Sequence, residues 1–209
     1  MGLWSRWVFP RLCHKALSAE RFATQRRELL APAHGRVLEI GVGSGLNLPH
    51  YGAQVTRVDG VDPNPGMQVL AERLLATGEV RPGLAVELHE TGAEELPFAD
   101  ASFDFAVSTW TLCSVGDVGR VLAEVARVLV PGGRLLYLEH GLAPEPRVAR
   151  WQRRLGPFQR RFADGCHLDR DFTALLATSP LAAEREERYY DPKAPKVGGF
   201  MYRGEAVRS

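Results

Sequence analysis

Short apolar runs alternate along the chain with stretches in which apolar residues recur every three or four positions. The runs at 36–40, 55–61, 84–89 and 103–108 each end in a polar or glycine-containing loop. Apolar runs of this length predict buried β-strands, and their alternation with helical stretches is typical of βαβ units. We therefore expect an α/β domain with a mainly parallel sheet.

Two central helices follow from the same pattern. The first begins at Pro65 with Asn64 as its cap and ends at Gly78, because proline suits the first helical turn and glycine the position after the last. Its predicted apolar stripe consists of Met67, Val69, Leu70, Leu74 and Leu75. The second covers the apolar repeat from Val118 to Leu129, and the glycines at 132 and 133 are expected to separate it from a strand at 134–139.

The pattern in the last third of the sequence predicts helices at 145–163 and 169–178, followed by β-rich runs near 184–190 and 200–207. Two late strands fit a hairpin at the edge of the sheet. The expected fold is a doubly wound, Rossmann-like sheet of seven strands, mostly parallel with a late antiparallel edge hairpin, and with helices on both faces.

Length, charge and cysteine content narrow the function. A chain of 209 residues fits one domain. The 26 basic and 25 acidic residues give a net charge of +1, which provides no field for nucleic acid, so no nucleic-acid partner is expected. Cys13, Cys113 and Cys166 are widely spaced, which indicates neither a disulfide framework nor a metal site.

The first residues are apolar but interrupted by Arg6 and followed by Arg11 and Lys15. They lack the features of a signal peptide and are too short to span a membrane, so a cytoplasmic location is expected. Trp4, Trp7 and Val8 beside these basic residues fit either a helix that contacts a membrane surface or a lid over the functional site. Both interpretations stay open at this point.

The strongest chemical motif is Gly41-Val42-Gly43-Ser44-Gly45, which follows the first predicted strand. Glycine permits positive φ and close approach of the backbone to a ligand, and the next helix presents free N–H groups. Asp62 ends the second strand, where a carboxylate can accept hydrogen bonds from ribose hydroxyls or can simply cap the next helix. Position 46 is Leu46 rather than the third glycine of GxGxxG, which disfavours an NAD-dependent dehydrogenase.

These motifs, together with Ala93-Glu94-Glu95-Leu96-Pro97-Phe98 and Leu129-Val130-Pro131-Gly132-Gly133, occur in the order found in a known family. Residues 34–140 resemble the class I S-adenosylmethionine-dependent methyltransferases. Segments 111–115, 138–140 and 164–168 are similar to the methyltransferase-like alkyl-thiol S-methyltransferases and their bacterial relatives, which extends the resemblance to about residue 175.

The resemblance implies the cofactor, its product S-adenosylhomocysteine and the residues that hold them. By that resemblance Glu39 supports the methionine amino end, Asp62 holds the ribose, and Ala93 and Glu94 lie by the adenine. Thr109 to Leu112 would lie beside the methionine moiety and the incoming nucleophile. The full implied set is Glu39, Gly41, Gly43, Gly45, Asn47, Asp62, Pro63, Met67, Gly92, Ala93, Glu94, Thr109 and Leu112.

In such enzymes the sulfonium already activates the methyl group, so the protein mainly aligns and desolvates the nucleophile. His140, His167 and Asp164 are the candidate proton acceptors, although each also fits a structural role, Asp164 as part of an Asp-Gly turn. Cys113 and Cys166 fit either a pocket for thiols or the buried, unreactive state that is common for cysteine.

The sequence thus predicts a single methyltransferase domain over 1–209. It divides into an N-terminal helical lid or surface segment (1–33), a cofactor-binding core (34–140) and substrate-side helices with the final strands (141–209). The expected acceptor is a small molecule, with a thiol favoured by the downstream resemblance. Three alternatives stay open: a phospholipid headgroup, a quinone precursor, and a non-catalytic S-adenosylmethionine-binding regulator.

Overall fold

The computed structural model describes residues 2–209, which form one sheet of seven strands. In spatial order the strands are β3-β2-β1-β4-β5-β7-β6, with β1 to β5 parallel to one another and β7 antiparallel to both β5 and β6. The predicted architecture is confirmed, but the helix expected directly after the glycine loop is absent, and only a 3₁₀ turn at Leu48–His50 lies between β1 and β2. The strands are β1 (Gly35–Ile40), β2 (Val55–Val61), β3 (Ala85–His89), β4 (Phe103–Thr109), β5 (Leu129–His140), β6 (Leu181–Tyr190) and β7 (Phe200–Arg208).

Helices cover both faces of this sheet. They are α1 (Phe9–Leu17), α2 (Glu20–Leu30), α3 (Pro65–Thr77), α4 (Val118–Val128), α5 (Pro146–Phe162) and α6 (Phe172–Ala177), with a short helical turn at Trp4–Val8 and a 3₁₀ turn at Leu48–His50. Along β5, Leu135 and Tyr137 pack into the cluster that contains α4 and α6, whereas Leu136 and Leu138 pack into the cluster that contains α2. This alternation follows from the two-residue period of a strand.

The helix limits follow the expected capping chemistry. The Asn64 side chain accepts a hydrogen bond from the Gly66 N–H at 2.9 Å, and Gly78 ends α3 in the left-handed region at φ 79°. The predicted stripe of α3 is wrong at one position, because Val69 is 41% exposed and Ala71 is buried instead. Positions 67, 71 and 74 lie on one face of an α-helix, and residue 69 falls outside it.

The second difference concerns β5, which begins at Leu129 rather than Arg134. Leu129 pairs with Phe103, the register then shifts, and pairing resumes between Arg134 and Phe105. Gly132 adopts φ 77° within this irregular stretch. The glycine pair therefore produces a bulge in a continuing strand rather than a loop before a new one.

The sheet order places a crevice between β1 and β4. The chain leaves β1 toward β2 on one side of the sheet, whereas β4 leads to β5 on the other. In open α/β sheets, ligands bind beyond the carboxyl ends of the strands at this switch point.

Candidate cofactor and acceptor site

A cavity of about 280 Å³ lies at the carboxyl ends of β1, β2 and β4. Its size is near the lower limit of about 300 Å³ for small-molecule sites. Among the residues that line it are Glu39, Gly41, Gly43, Asn47, Asp62, Pro63, Met67, Gly92, Ala93, Glu94 and Thr109, all implied by the family resemblance. The predicted site residues are thus mostly brought together.

All three glycines of the loop after β1 adopt positive φ, Gly45 at 81°. Gly41 and Gly43 adopt φ 65° and 55°, a region that costs other residues about 1–2 kcal/mol. A Cβ at Gly41 would also overlap the Thr111 side chain from the loop after β4. The close approach of these two loops forms the floor of the cavity.

Gly45 and Leu112 belong to the implied set but do not line the cavity. A Cβ at Gly45 would lie 3.1 Å from both Leu48 and Leu74, so this glycine permits α3 to pack closely beneath the loop. Leu112 is buried in the core beside α4. Both residues support the walls of the site from behind.

Glu39 is the most buried acid of the cavity, with 1% of its surface exposed. Its carboxylate accepts hydrogen bonds from Asn47 Nδ2 at 2.9 Å and from the Tyr51 hydroxyl at 2.8 Å. Burial raises the pKa of Glu39 to about 7, although both hydrogen bonds act in the opposite direction. Asn47 Oδ1 is buried and has no partner among the described residues.

Asp62 ties the end of β2 to the glycine loop. One carboxylate oxygen accepts from the Gly43 N–H at 3.0 Å and the other from the Asn64 N–H at 2.8 Å. Burial raises the pKa of Asp62 to about 6, and these two N–H groups limit the rise. Each carboxylate oxygen can accept a second hydrogen bond, which leaves capacity for ligand hydroxyls.

Arg26 of α2 also lines the cavity, and sequence patterns did not identify it. It is 3% exposed, donates to the Leu17 carbonyl at 2.8 Å and lies over the Trp110 ring, 5.0 Å from its centroid. Its Nε is buried without a partner in the described chain. Burial lowers the pKa of Arg26 to about 10 and the charge of Glu39 opposes that change, so the guanidinium stays charged at neutral pH.

The N-terminal segment contributes side chains to the lining of the cavity. Phe9, Cys13 and Leu17 line it from above. His14 Nδ1 lies 2.9 Å from the Ser44 hydroxyl of the glycine loop. At the other end, Asn64 Nδ2 donates to the Ser5 carbonyl at 2.9 Å. This segment, 2–17, is called the cover below.

Of the three candidate proton acceptors, only Asp164 lines the cavity. Asp164 at φ 47° and Gly165 at φ 88° form the expected Asp-Gly turn. One carboxylate oxygen accepts from the Ser5 hydroxyl and the other from Asn64 Nδ2 at 3.1 Å. Asp164 therefore fastens the cover to the loop after β2.

His140 and His167 lie away from the cavity lining. His140 Nε2 is 3.1 Å from Cys166 Sγ. His167 donates its backbone N–H to the Cys113 carbonyl at 2.8 Å, and burial together with the charge of Arg170 lowers the pKa of its imidazole. Neither imidazole lines the cavity.

Comparison with known proteins identifies the family and agrees with the fold. Residues 38–137 match the family model described as a methyltransferase domain. Thiol S-methyltransferase TMT1B of Rattus norvegicus is 34% identical over 82% of this chain and 75% of its own length. Phosphatidylethanolamine N-methyltransferase of Cereibacter sphaeroides is 34% identical over 65% of the chain, and demethylmenaquinone methyltransferase of Symbiobacterium thermophilum is 32% identical over 60%.

The solved structures show the same fold. Geranyl diphosphate methyltransferase in complex with S-adenosylmethionine superposes with a TM-score of 0.68 over 94% of this chain and 87% of its own, at 16% sequence identity. The chain belongs to the class I S-adenosylmethionine-dependent methyltransferases. It is an enzyme that uses S-adenosylmethionine to methylate a small molecule.

The raised pKa of Glu39 predicts how stability depends on pH. A carboxylate whose pKa rises on folding binds its proton more tightly in the folded state, so it stabilises the fold below about pH 4.5 and loses that contribution as the pH rises through about 7. Between pH 6 and pH 8 the free energy of unfolding of the ligand-free protein should fall by about 1 kcal/mol from Glu39.

Urea unfolding of the wild type and Glu39→Gln at both pH values measures this contribution, because all other titrating groups cancel in the comparison. We expect the variant to show a smaller loss of stability from pH 6 to pH 8. Equal losses in both proteins would mean that Glu39 ionises normally.

Proposed function

We propose that the amino-acid end of S-adenosylmethionine lies between Glu39 and Arg26. The two unpartnered atoms there have opposite character, since Asn47 Oδ1 is an acceptor and Arg26 Nε a donor. An ammonium group fits the carboxylate of Glu39 with Asn47 Oδ1, and a carboxylate fits the guanidinium. The described residues therefore suit the cofactor, which supplies a methyl group on a positively charged sulfur.

The remaining cofactor contacts follow from the same cavity. We assign the ribose hydroxyls to Asp62, whose oxygens keep free acceptor capacity, and the adenine to the wall formed by Gly92, Ala93 and Glu94. The Glu94 carboxylate accepts from the Gly116 N–H at 3.0 Å, which joins the loops after β3 and β4. Pro63 and Met67 complete this side of the cavity.

For the acceptor, we propose a small thiol. This proposal rests on the side chains that line the cavity. The ionisable ones among the described residues are Cys13, Arg26, Glu39, Asp62, Glu94 and Asp164. Glu39 and Asp62 are assigned to the cofactor, and Glu94 and Asp164 already accept hydrogen bonds. No histidine or lysine lines the described cavity to remove a proton.

A thiol needs little help from a base. With a pKa of about 8.5, roughly 10% of it is thiolate at pH 7.5, whereas only about 0.1% of an alkyl amine with a pKa of about 10.4 is unprotonated. Phe9, Leu17, Met67 and Val115 give the cavity apolar walls, which desolvate a soft nucleophile and align it. The thiol S-methyltransferase relative also matches a larger share of the chain than the lipid and quinone-precursor enzymes.

We further propose that the protein contacts membranes through one apolar surface while remaining on the cytoplasmic side, where its three cysteines stay free. None of the helices in residues 2–209 is long and apolar enough to cross a membrane. Nine of the ten large exposed apolar residues in that range nevertheless lie in the cover and α5. They are Leu3, Trp4, Trp7, Val8, Leu12, Trp151, Leu155, Phe158 and Phe162, and we call them the apolar face.

Two contacts join the halves of the apolar face. Trp4 Nε1 donates to the Phe162 carbonyl at 3.1 Å, and the two rings meet edge to face at 6.2 Å. Segments 2–17 and 146–162 carry nine lysines and arginines and no acidic residue: Arg6, Arg11, Lys15, Arg147, Arg150, Arg153, Arg154, Arg160 and Arg161. Apolar rings beside basic side chains suit an anionic phospholipid surface.

The cofactor assignment predicts a selective effect of Arg26→Gln. Loss of a charge-assisted hydrogen bond, worth about 1.5–3 kcal/mol, should weaken S-adenosylmethionine binding by about 10–100-fold in calorimetry. Arg27→Gln is the matched control, because Arg27 is the next residue of α2 and is exposed. Binding of 5′-methylthioadenosine, which has no carboxylate, should be unaffected by Arg26→Gln. A similar loss for both ligands would contradict the assignment.

The acceptor proposal predicts a strong preference for sulfur. Methyl transfer from labelled S-adenosylmethionine is measured with a small thiol of pKa about 8.5 and with an alkyl amine and an alcohol of similar size. At pH 7.5 the thiol should react at least about 100-fold faster than the amine, following the reactive fractions, and its rate should rise up to about pH 8.5. Faster methylation of the amine, of phosphatidylethanolamine vesicles or of a quinone precursor would overturn the proposal.

The membrane proposal predicts binding to vesicles that contain phosphatidylserine and weaker binding to phosphatidylcholine alone. Trp7→Ser and Phe158→Ser should each reduce vesicle partitioning by about tenfold or more, since a large apolar side chain contributes about 1.5–3 kcal/mol when buried. Val69→Ser, at the tenth exposed apolar position, should leave partitioning unchanged. Equal effects of all three substitutions in a co-sedimentation assay would rule out this surface.

A further inference from the structure

Three metal-binding side chains meet outside the cofactor cavity. Cys113 follows β4, His140 ends β5 and Cys166 follows α5. The two cysteine Sγ atoms and an imidazole nitrogen of His140 all lie within 4.8 Å of one another. They are separated by 27 and 26 residues along the chain, which is why the sequence predicted no metal site.

The spacing of these atoms suits three positions of a tetrahedral Zn²⁺ ion, whose fourth position a water molecule would fill. With Zn–S near 2.3 Å and Zn–N near 2.05 Å, tetrahedral ligands lie about 3.8 Å (S to S) and about 3.6 Å (S to N) apart. His140 Nε2 and Cys166 Sγ are 3.1 Å apart, so a shift of about half an ångström on that edge admits the ion. Two thiolates and a neutral imidazole are also a donor set that zinc prefers.

Side chains that can hydrogen-bond to the sulfur ligands lie beside the cluster. Gln159 Nε2 donates to Cys166 Sγ at 3.6 Å, and the Ser114 hydroxyl lies 3.6 Å from Cys113 Sγ. Both cysteines are buried, at 2% and 4% exposure. Two thiolates cancel the charge of the ion, so the loaded cluster is neutral and avoids the cost of an unpaired buried charge.

We propose that Cys113, His140 and Cys166 bind one Zn²⁺ ion that fastens the two loops beside the cofactor cavity. Binding displaces the two thiol protons into solvent. The ion thereby links two loops of the cavity wall. One loop contributes Thr111, Ser114 and Val115 to the lining, and the other contributes Asp164. This site does not depend on which acceptor the enzyme methylates.

Cobalt substitution tests the proposal on the reduced, full-length protein without a histidine tag. One equivalent of Co²⁺ should produce the near-ultraviolet band of thiolate-to-cobalt charge transfer and the intense visible bands of four-coordinate cobalt, and Zn²⁺ should abolish them. Zn²⁺ should also raise the melting temperature of the wild type, and a chelator should reverse that rise. Absence of the charge-transfer band in the wild type overturns the proposal without any variant.

Variants identify the ligands. Cys113→Ser and Cys166→Ser should each weaken metal binding by more than about 100-fold. Loss of a residue that only supports a ligand weakens metal binding by about 10- to 100-fold, so a direct ligand should cost more. Cys13→Ser is the matched control, because Cys13 lies in the cavity rather than in this cluster, and it should keep the full cobalt spectrum. A spectrum that survives in Cys113→Ser or vanishes in Cys13→Ser, or a Cys113–Cys166 disulfide in the protein isolated under reducing conditions, would overturn the proposal.

Discussion

The carboxylate of Glu139, fully buried at the end of β5, organises the loop after β4 on which the site depends. One oxygen accepts from the Ser108 hydroxyl at 2.7 Å and from the backbone N–H groups of Thr111 and Leu112 at 3.0 Å, and the other from the Cys113 N–H at 3.3 Å. A buried charge requires several such donors. The loop is thereby held against Gly41, and the cavity floor has a defined shape.

Glu39 is the corresponding buried acid at the end of β1, and fewer groups donate to it. Among the described residues, Asn47 and Tyr51 donate to it. Burial raises the pKa of both acids, that of Glu39 to about 7. The two acids therefore differ in purpose although both end a central strand. Glu139 is satisfied by the protein itself, whereas on the proposed function Glu39 binds the ammonium group of the cofactor.

Local patterns predicted the strands, the helix caps and the glycine loop because each depends on residues close in sequence. The same reasoning placed Asp62, since a strand end has a known position in this fold. It missed Arg26, because a charged residue in a polar-looking helix gives no sign that tertiary packing will bury it against Trp110. It included Gly45 and Leu112, whose positions behind the cavity wall depend on how α3 and α4 pack. The meeting of Cys113, His140 and Cys166 requires three strand and helix ends to converge, which no local pattern encodes.

The cover connects the proposed acceptor with the proposed membrane contact. Its inner residues Phe9, Cys13 and Leu17 line the cavity, while its outer residues Trp7 and Leu12 belong to the apolar face. The hydrogen bonds that hold it in place come from Ser44, Asn64 and Asp164, at the margins of the cavity. A lipid surface that draws the outer residues away would strain those same bonds. On the proposed function, membrane contact and access to the cavity are therefore coupled through one segment, and an apolar thiol dissolved in the membrane would meet the enzyme at its entrance.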